Sequence, residues 1–390
     1  MTAVPWEAKS RAHDSPIVPA PITAARAGGS GTRVSSSASM HLTLESRAGR
    51  KGAQDLPLRT APARDPCVHR RRRSLRWQNN VMDDAAGTRS RTIEAAEREL
   101  EQAQERAGVE LRLIHDPQTA AEASLLLDEV WNVGAAGTTV MEPSLLMALA
   151  HAQNYVAAAV VPETGELIGV TVGFFSSPPE WSMHSHIAGV RHDEVGRGTG
   201  AAMKLHQRLW CLQRGITEMT WTFDPLISRN AYFNIGRLGA RAIEYHEDFY
   251  GQMRDGVNEG TASDRLLVSW DLERSVGWGG APAAAGAHAG GSGAATAGAE
   301  DTPAARPRLA DAAPALSIDA GGRPIELDVP REAELVSLAI PSDIETLRGT
   351  DPQLADAWRH ALRRGITELT ADGWQITDFD RSGAYLLTHP

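Results

Sequence analysis

The sequence predicts an α/β protein in which a mixed sheet is flanked by helices. Three observations predict it. Between residues 109 and 270, segments with strand-like alternation of apolar residues alternate with segments of helical spacing. A loop rich in glycine, Gly196 to Gly200, joins one of these strands to a helix. On both sides of this block the composition changes to stretches without apolar periodicity, so the folded domain is bounded by chain of a different kind.

Composition bounds the class of protein. The chain has 390 residues, 42% of them hydrophobic and 23% charged, with a net charge of −10. At roughly 100–200 residues per domain, two domains or one large domain with tails are expected. A net negative charge argues against nucleic acid as a partner of the folded part, because a polyanion binds a basic surface.

Cysteine use and hydropathy indicate the compartment. The two cysteines, Cys67 and Cys211, form neither a disulfide framework nor zinc-ligand spacing, so a reducing, cytoplasmic location and no bound metal are expected. No stretch approaches the roughly 18 consecutive apolar residues of a membrane span, and no membrane partner is expected.

The chain before the folded block divides into two parts. Residues 1–81, rich in Ala, Pro, Ser, Gly and Arg, are predicted to be a disordered basic tail. The arginine run at 70–73 is interpreted as a solvated segment, with binding to nucleic acid as the alternative. A natural start near Met82 is a further interpretation of this tail. Residues 82–108 are predicted to form a leading helix, because apolar residues recur at helical spacing among charged ones.

Residues 109–272 are predicted to form the main domain. Asp116 before Pro117 is typical of a helix start, and Gly215 and Gly239 are typical of helix ends. The predicted elements in order are strand 109–114, helix 120–131, helix 143–152, hairpin strands 155–161 and 167–175, strand 183–190, helix 201–213, strand 216–223, helix 228–238, and strands 240–250 and 266–270.

Two further segments follow. Residues 273–317 are predicted to be a Gly/Ala-rich linker. Residues 318–390 are predicted to be a small α/β segment with one helix and three strands. Such a segment is too small to stand alone and is expected to dock on the main domain. The five residues at 214–218 recur at 364–368, but no glycine loop precedes the second copy, so chance similarity is favoured over a duplicated domain.

The glycine loop predicts a phosphate site. Glycines let backbone N–H groups approach oxygen anions, and the following helix adds about half a positive charge at its N-terminus. Arg197 adds a full charge beside it. Glycine pairs also mark ordinary turns, which is the plainer interpretation. A dinucleotide fingerprint would require glycine at Met203, and a P-loop would require Gly-Lys-Ser/Thr, so neither pattern is present.

Val190 and, four residues later, the sequence Val-Gly-Arg-Gly-Thr-Gly at 195–200 resemble motif A of the GNAT superfamily of N-acetyltransferases. That motif is a strand followed by a Gln/Arg-x-x-Gly-x-Gly/Ala loop. The order of elements in the main domain is similar to the GNAT fold. Residues 216–256 resemble a poorly characterised bacterial branch described as predicted acetyltransferases.

The resemblance implies an acyl-CoA-dependent N-acyltransferase with acetyl-CoA as co-substrate and a small-molecule or peptide amine as acceptor. It is also compatible with a homodimer. In the family, the splayed strands hold the pantetheine arm and the loop amides hold the pyrophosphate. The residues implied for pantetheine are Ile187, Ala188, Gly189 and Val190, and those for pyrophosphate are Val195, Gly196, Arg197, Gly198, Thr199 and Gly200.

Two departures from the family pattern stand in this sequence. Val195 occupies the usual Gln/Arg position, although its backbone N–H is expected to remain able to bind phosphate. Ile235 occupies the position of the tyrosine that many members use as general acid. Tyr232 is a candidate replacement, with a packing role as the alternative. A non-catalytic acyl-CoA sensor is therefore the second functional hypothesis.

Acyl transfer to an amine needs a general base, because an amine with a pKa near about 10.4 is mostly protonated at neutral pH. His186 is the first candidate and Asp224 the second, with His184 beside them. The alternatives are a buried histidine satisfied by hydrogen bonds and an aspartate that shapes a turn. Candidates for lining an acceptor pocket, each with a core role as the alternative, are Glu129, Trp131, Trp181 and Trp221.

Overall fold

The computed structural model describes residues 67–133, 139–177, 180–251, 262–276 and 307–389, with side chains from residue 87 onward. The predicted tail up to residue 66 and most of the predicted linker lie outside these ranges. The described residues from Arg89 onward belong to one compact unit. In the described part of the chain, no helix is both long enough and apolar enough to cross a membrane.

A seven-stranded mixed sheet forms the main domain, in the order β1-β2-β3-β4-β5-β7-β6. Neighbouring strands are antiparallel except β4 and β5, which are parallel. The mixed α/β fold expected from the sequence is therefore confirmed. The strands are β1 (Glu110–Leu113), β2 (Tyr155–Val160), β3 (Leu167–Phe175), β4 (Ser182–Val190), β5 (Glu218–Phe223), β6 (Arg241–His246) and β7 (Arg265–Asp271).

Helices flank this sheet. The leading helix begins at Cys67, ahead of its expected start at residue 82. Asp116 accepts a hydrogen bond from the Thr119 backbone N–H at 2.9 Å, so it is the N-cap that the sequence indicates. The helices are α1 (Cys67–Ala107), α2 (Pro117–Val130), α3 (Pro143–His151), α4 (Thr199–Gln213) and α5 (Ser228–Ala231), the last continued by a π-helical turn at Tyr232–Arg237.

The sheet buries both faces. On β2, Tyr155, Ala157 and Ala159 join one apolar cluster together with residues of α1 and α4. Val156 and Val160 point the other way and join a second cluster with α2 and α3. This alternation is what a pleated strand requires, and it places β3 and β4 in the interior between two layers of helices.

A second sheet, in the order β11-β12-β10-β8-β9, forms the C-terminal segment. It contains the expected helix and three strands, together with β8, β9 and α6, which the sequence pattern did not indicate. Its elements are β8 (Ala313–Ile318), β9 (Pro324–Glu326), β10 (Leu335–Ala339), α6 (Ile344–Thr350), α7 (Pro352–Ala371), β11 (Gln375–Asp380) and β12 (Ala384–Thr388).

The C-terminal segment contacts the loop that follows β5 through ion pairs and a hydrogen bond. Asp224 in that loop forms ion pairs with Arg348 and Arg359 of the segment, at 2.5 and 3.3 Å. The Tyr385 hydroxyl donates to the Pro225 carbonyl oxygen at 2.6 Å. Arg229 forms a further ion pair with Glu345. The loop after β5 is thus held by side chains of α6, α7 and β12 of the C-terminal segment.

Candidate functional site

The two parallel strands at the centre of the main sheet separate. Their pairing is limited to Ser182↔Glu218, Met183↔Met219 and His184↔Thr220. Beyond this, β4 continues to Val190 with β3 along one edge, and β5 continues to Phe223 with β7 along its far edge. Within the described residues, no strand pairs with the β5-facing edge of β4 over residues 185–190. The two strands therefore form a splay whose vertex lies at His184.

A β-bulge lies at the vertex. Ile187 pairs with Val172 and Ser185 pairs with Gly173, so His186 is the extra residue in β4. A bulge removes backbone groups from the ladder and re-aims the side chain, and bulges are common beside functional sites. Here it coincides with the point where the parallel strands part.

The glycine loop lies where β4 ends. A 3-10 turn at His192–Glu194 follows the strand, and Gly198 is the N-cap of α4. Gly196 has φ of +86° and Gly198 has φ of +102°. No side chain in the described chain caps α4 with a hydrogen bond. The backbone conformation, rather than lack of space, requires glycine here, because a Cβ on Gly198 would meet only Ala107, at 3.7 Å.

The charges around the loop are more balanced than expected. The Arg197 guanidinium contacts both carboxylate oxygens of Glu194, at 3.0 and 3.1 Å, so its charge is shared. The Val195 backbone N–H donates to the His192 carbonyl oxygen at a long 3.5 Å. The helix N-terminus of α4 adds a partial positive charge at the loop.

Thr199, the first residue of α4, fits an oxyanion ligand. Its side chain is 1% exposed, and its hydroxyl has no hydrogen-bond partner among the described residues. Buried hydroxyls normally have partners. Together with positive-φ glycines and an uncapped 15-residue helix, this hydroxyl suits an oxyanion such as a phosphate oxygen.

The strand residues expected to face pantetheine are all buried. Ile187 belongs to the apolar cluster beneath α2, whereas Ala188 and Val190 belong to the cluster on the other face. A Cβ on Gly189 would lie 2.6 Å from Trp131 Cζ3, so Gly189 permits α2 to pack closely on β4. Trp131 is 1% exposed and has this core role.

His184 and His186 share one side of the sheet, as their spacing predicts. Their ring centroids are 6.5 Å apart, and Phe174 lies 5.4 and 5.5 Å from them. His184 Nδ1 is 3.1 Å from Thr220 Oγ1. Burial lowers the pKa of His184 to about 4 and also lowers the pKa of His186. Both imidazoles are therefore neutral at pH 7, and His186 lies half-buried at the bulge.

Asp224 has a different environment from the one a general base needs. It is 3% exposed, and its Oδ1 accepts from the Leu226 backbone N–H at 3.0 Å. Burial alone would raise its pKa, but the nearby guanidiniums of Arg348 and Arg359 hold the pKa far below its usual range. A carboxylate so strongly ion-paired is a weak base, and this geometry favours the alternative in which Asp224 shapes the loop.

Tyr232 packs where the π-helical turn meets β11. A Cβ on Gly236 would lie 3.1 Å from Tyr232 Cδ2 and 3.2 Å from the Phe379 carbonyl oxygen. Ile235 is 4% exposed and belongs to the apolar core. These contacts favour the packing role for Tyr232 and leave the family's tyrosine position without a proton donor.

The remaining pocket candidates differ in exposure. Trp221 is 2% exposed and lies in the core on β5, whereas Trp181 is 77% exposed. Residues 134–138, between α2 and α3, and residues 178–179, between β3 and β4, lie outside the described ranges.

Comparison with known proteins gives distant structural likenesses. No family model and no curated protein matches the sequence. Among solved structures, an N-acetyltransferase from Staphylococcus aureus Mu50 has 13% identity and a TM-score of 0.34, covering 42% of this chain and 98% of its own. A GNAT superfamily phosphinothricin acetyltransferase from Sinorhizobium meliloti, in complex with AcCoA, has 15% identity and a TM-score of 0.35, covering 42% and 89%.

A ribosomal-protein-S5-alanine acetyltransferase from Vibrio fischeri has 14% identity and a TM-score of 0.33, covering 42% of this chain and 93% of its own. Identities and TM-scores this low do not assign the chain to a family.

The sequence pattern did not single out a polar cluster beneath the splay. Lys204 on α4 is 4% exposed, and its Nζ donates to Ser185 Oγ at 2.7 Å. Nζ also lies 4.0 Å from the centroid of the Trp221 ring. Ser185 in turn donates to Gln207 Oε1 at 3.0 Å. The sequence carried one sign of this burial: Lys204 lies three residues after the small apolar Ala201, on the same face of the predicted helix.

Two buried asparagines, like Lys204, are not indicated by the sequence pattern. Asn230 and Asn234 lie one helical turn apart after β5, and each is 1% exposed. Both amide atoms of Asn230 and the Oδ1 of Asn234 lack hydrogen-bond partners within the described residues. Asparagine is common at helix starts, so the sequence pattern alone does not distinguish these two from capping residues.

Proposed function

We propose that the main domain binds acyl-CoA in the splay between β4 and β5 and transfers the acyl group to an amine. The observation that carries the proposal is the parting of two parallel strands directly ahead of an uncapped helix N-terminus. The open edge of β4 can accept an extended amide-containing chain as another strand would, by backbone hydrogen bonds. The helix N-terminus at its end suits phosphate.

The dimensions agree with this arrangement. Five residue steps separate Val190 from Ser185, and at about 3.3 Å per residue they span roughly 17 Å. An extended pantetheine arm is comparable in length. With its pyrophosphate at Gly196–Gly200, acyl-CoA would lay its arm along β4 and bring its thioester to the vertex. The coenzyme supplies an activated acyl group with a thiol as leaving group.

The residues at the vertex suit the chemistry. His186 is neutral at pH 7, because burial lowers its pKa, and a neutral imidazole accepts the proton that the attacking amine must lose. The bulge frees backbone groups of β4 from the ladder, and a free N–H there stabilises the oxyanion of the tetrahedral intermediate. The acceptor is proposed only as a class, an amine.

Two measurements test the proposal. Calorimetric titration of the full chain with acetyl-CoA is expected to show one saturable site whose affinity falls as salt rises, since phosphate binding is partly electrostatic. Release of free thiol is then followed with a panel of small-molecule and peptide amines. Absence of acetyl-CoA binding would refute the proposal. Binding without thiol release on any amine would instead support the sensor.

A further inference from the structure

A lysine lies buried at the vertex of the splay. The last parallel pair is His184↔Thr220, so Ser185 and Trp221 are the first residues beyond it on the two strands. Lys204 contacts both: its Nζ is 2.7 Å from Ser185 Oγ and 4.0 Å from the Trp221 ring centroid. The amine of Lys204 therefore lies where the two strands begin to part.

Lys204 has polar and aromatic contacts but no counter-charge among the described residues. Among the described residues, no carboxylate forms an ion pair with Lys204, although its side chain is almost wholly buried. Burying a cation without a counter-charge is costly, and an apolar residue would pack better on a helix face shared with Ala201 and Cys211. The burial lowers the pKa of Lys204 to about 7. A group whose pKa is close to the working pH is well suited to donate and accept protons in catalysis.

We infer that Lys204 is the proton donor to the thiolate of the leaving coenzyme A. This inference rests on the proposed function, which brings the thioester to the same vertex. Ile235 has no proton to give, and Tyr232 packs against Gly236 near β11. Lys204 approaches the vertex from α4, on the side of Trp221, and supplies the acid that those two positions lack.

The amine nitrogen forms a bond to the thioester carbonyl carbon, and His186 takes the excess proton from that nitrogen. The C–S bond breaks with its electron pair on sulfur, and the Lys204 ammonium gives sulfur a proton. After the amide and coenzyme A leave, His186 gives its proton to water and Lys204 takes one from water. In the net reaction, the acyl group passes from sulfur to the amine nitrogen, and one proton passes from that nitrogen to sulfur.

The direction of the pH dependence follows from the protonation states. Lys204 donates only while protonated, so activity falls as pH rises through about 7. The titratable groups facing it are His184 on β4 and Cys211 on α4. Burial lowers the pKa of His184 to about 4 and raises the pKa of the Cys211 thiol to about 12, so neither changes charge in this range. Ser185, Gln207 and Trp221 do not titrate.

The test compares Lys204→Met with Gln207→Met, a matched control that also removes a buried polar contact of Ser185 from α4. Lys204→Met is expected to lower kcat about 100-fold or more, with KM for acetyl-CoA unchanged, and to abolish the alkaline limb of the pH profile. Gln207→Met is expected to keep that limb. Unchanged kcat in Lys204→Met, or loss of acetyl-CoA binding, would overturn the inference.

A second readout needs neither an acceptor nor a folded variant. Ultraviolet absorbance of the thiolate reports the pH at which bound coenzyme A ionises. A thiolate and an ammonium in contact each stabilise the charged form of the other, so Lys204 is expected to keep its proton beside the bound thiolate. The bound thiol is therefore expected to ionise at a lower pH than free coenzyme A does. Bound thiol that ionises like free thiol would overturn the inference. Wild-type protein that binds no coenzyme A would refute the proposed function itself, which is a different result.

Discussion

At the scale of single residues, the glycine loop depends on backbone conformation. Gly198 has φ of +102° and caps α4, and a Cβ there would meet only Ala107. Alanine in such a conformation costs about 1–2 kcal/mol, so the loop would relax away from the shape that presents its amides.

We expect Gly198→Ala to weaken acetyl-CoA binding about 5- to 30-fold, the equilibrium factor that corresponds to that cost. Isothermal titration calorimetry measures it. Gly322→Ala is the matched control, because Gly322 also has positive φ, +78°, and open space, but lies far along the chain in the turn between β8 and β9. Equal dissociation constants for the two variants would contradict a role of the loop in binding.

His186 and His184 form a second matched pair at this scale. We expect His186→Gln to lower kcat about 100-fold and to remove the acidic limb of the pH profile, since general-base catalysis contributes about 10²–10⁴-fold. His184→Gln is expected to keep that limb, because His184 has a pKa of about 4 and bonds to Thr220. Initial rates between pH 5 and 9 measure both. An acidic limb that persists in His186→Gln would rule out His186 as the base.

At the scale of elements, the close contact between α2 and β4 holds the splayed strand in place. A Cβ on Gly189 would lie 2.6 Å from Trp131 Cζ3 and 3.2 Å from Val130 Cγ1, both on α2 or at its end. Such distances force the helix or the strand to move, and overpacking a core costs about 1–3 kcal/mol.

Gly189→Ala is therefore expected to lower the free energy of unfolding by about 1–3 kcal/mol, measured by urea denaturation. Gly349→Ala in α6 is the control, because no atom lies within 4 Å of the added Cβ. Alanine there is expected to raise the same free energy by about 0.5–1 kcal/mol, as usual inside a helix. A Gly189→Ala protein as stable as the wild type would mean that this contact is looser than the structure has it.

Elements also differ in how well their sequence predicts them. The residues at 214–218 recur at 364–368, yet the first copy forms a turn at Gly215, with φ of +78°, and then enters β5. The second copy lies wholly within α7 (Pro352–Ala371). Local propensity is a weak preference that tertiary packing overrides, so the recurrence does not reflect a duplicated structure.

At the scale of the whole molecule, a buried ion cluster ties the C-terminal segment to the loop after β5. Asp224 is surrounded by Arg265, Arg348 and Arg359, and the last two lie within 3.3 Å of its Oδ2. Removing one partner from a buried pair leaves an uncompensated charge, which costs about 3–5 kcal/mol.

Asp224→Asn is expected to lower the free energy of unfolding by about 3–5 kcal/mol in urea at pH 7. The effect depends on pH in a definite direction. The pKa of Asp224 is lowered by folding, so its stabilisation is present above the unfolded value of about 3.9 and declines as pH falls below it. The difference between wild type and variant should therefore narrow under acid conditions.

Glu326→Gln is the control for this prediction, because the Arg364–Glu326 pair is half exposed, with side chains 50% and 51% accessible. Its loss is expected to cost less than about 1 kcal/mol. If Asp224→Asn were no more destabilising than Glu326→Gln, the buried cluster would not stabilise the fold.

The sequence by itself determined the mixed α/β class, the order of elements in the main domain and the position of the glycine loop. These are local properties: apolar periodicity reports burial on one face, and glycine marks backbone that other residues rarely adopt. The histidine pair could be placed on one side of the sheet for the same reason. Short elements such as β9 (Pro324–Glu326) carry too few residues for a periodic signal.

Only the tertiary structure decided which polar side chains meet. From the sequence, Asp224 is a candidate for a turn residue or a base. The fold brings Arg348 and Arg359, 124 and 135 positions away in the chain, into contact with it. The sequence does not show that Lys204, one of three lysines in the chain, is buried; α4 places it against Ser185 and Trp221. The charge state of a buried group depends on its desolvation and on neighbours distant in sequence, and neither is encoded in the local pattern.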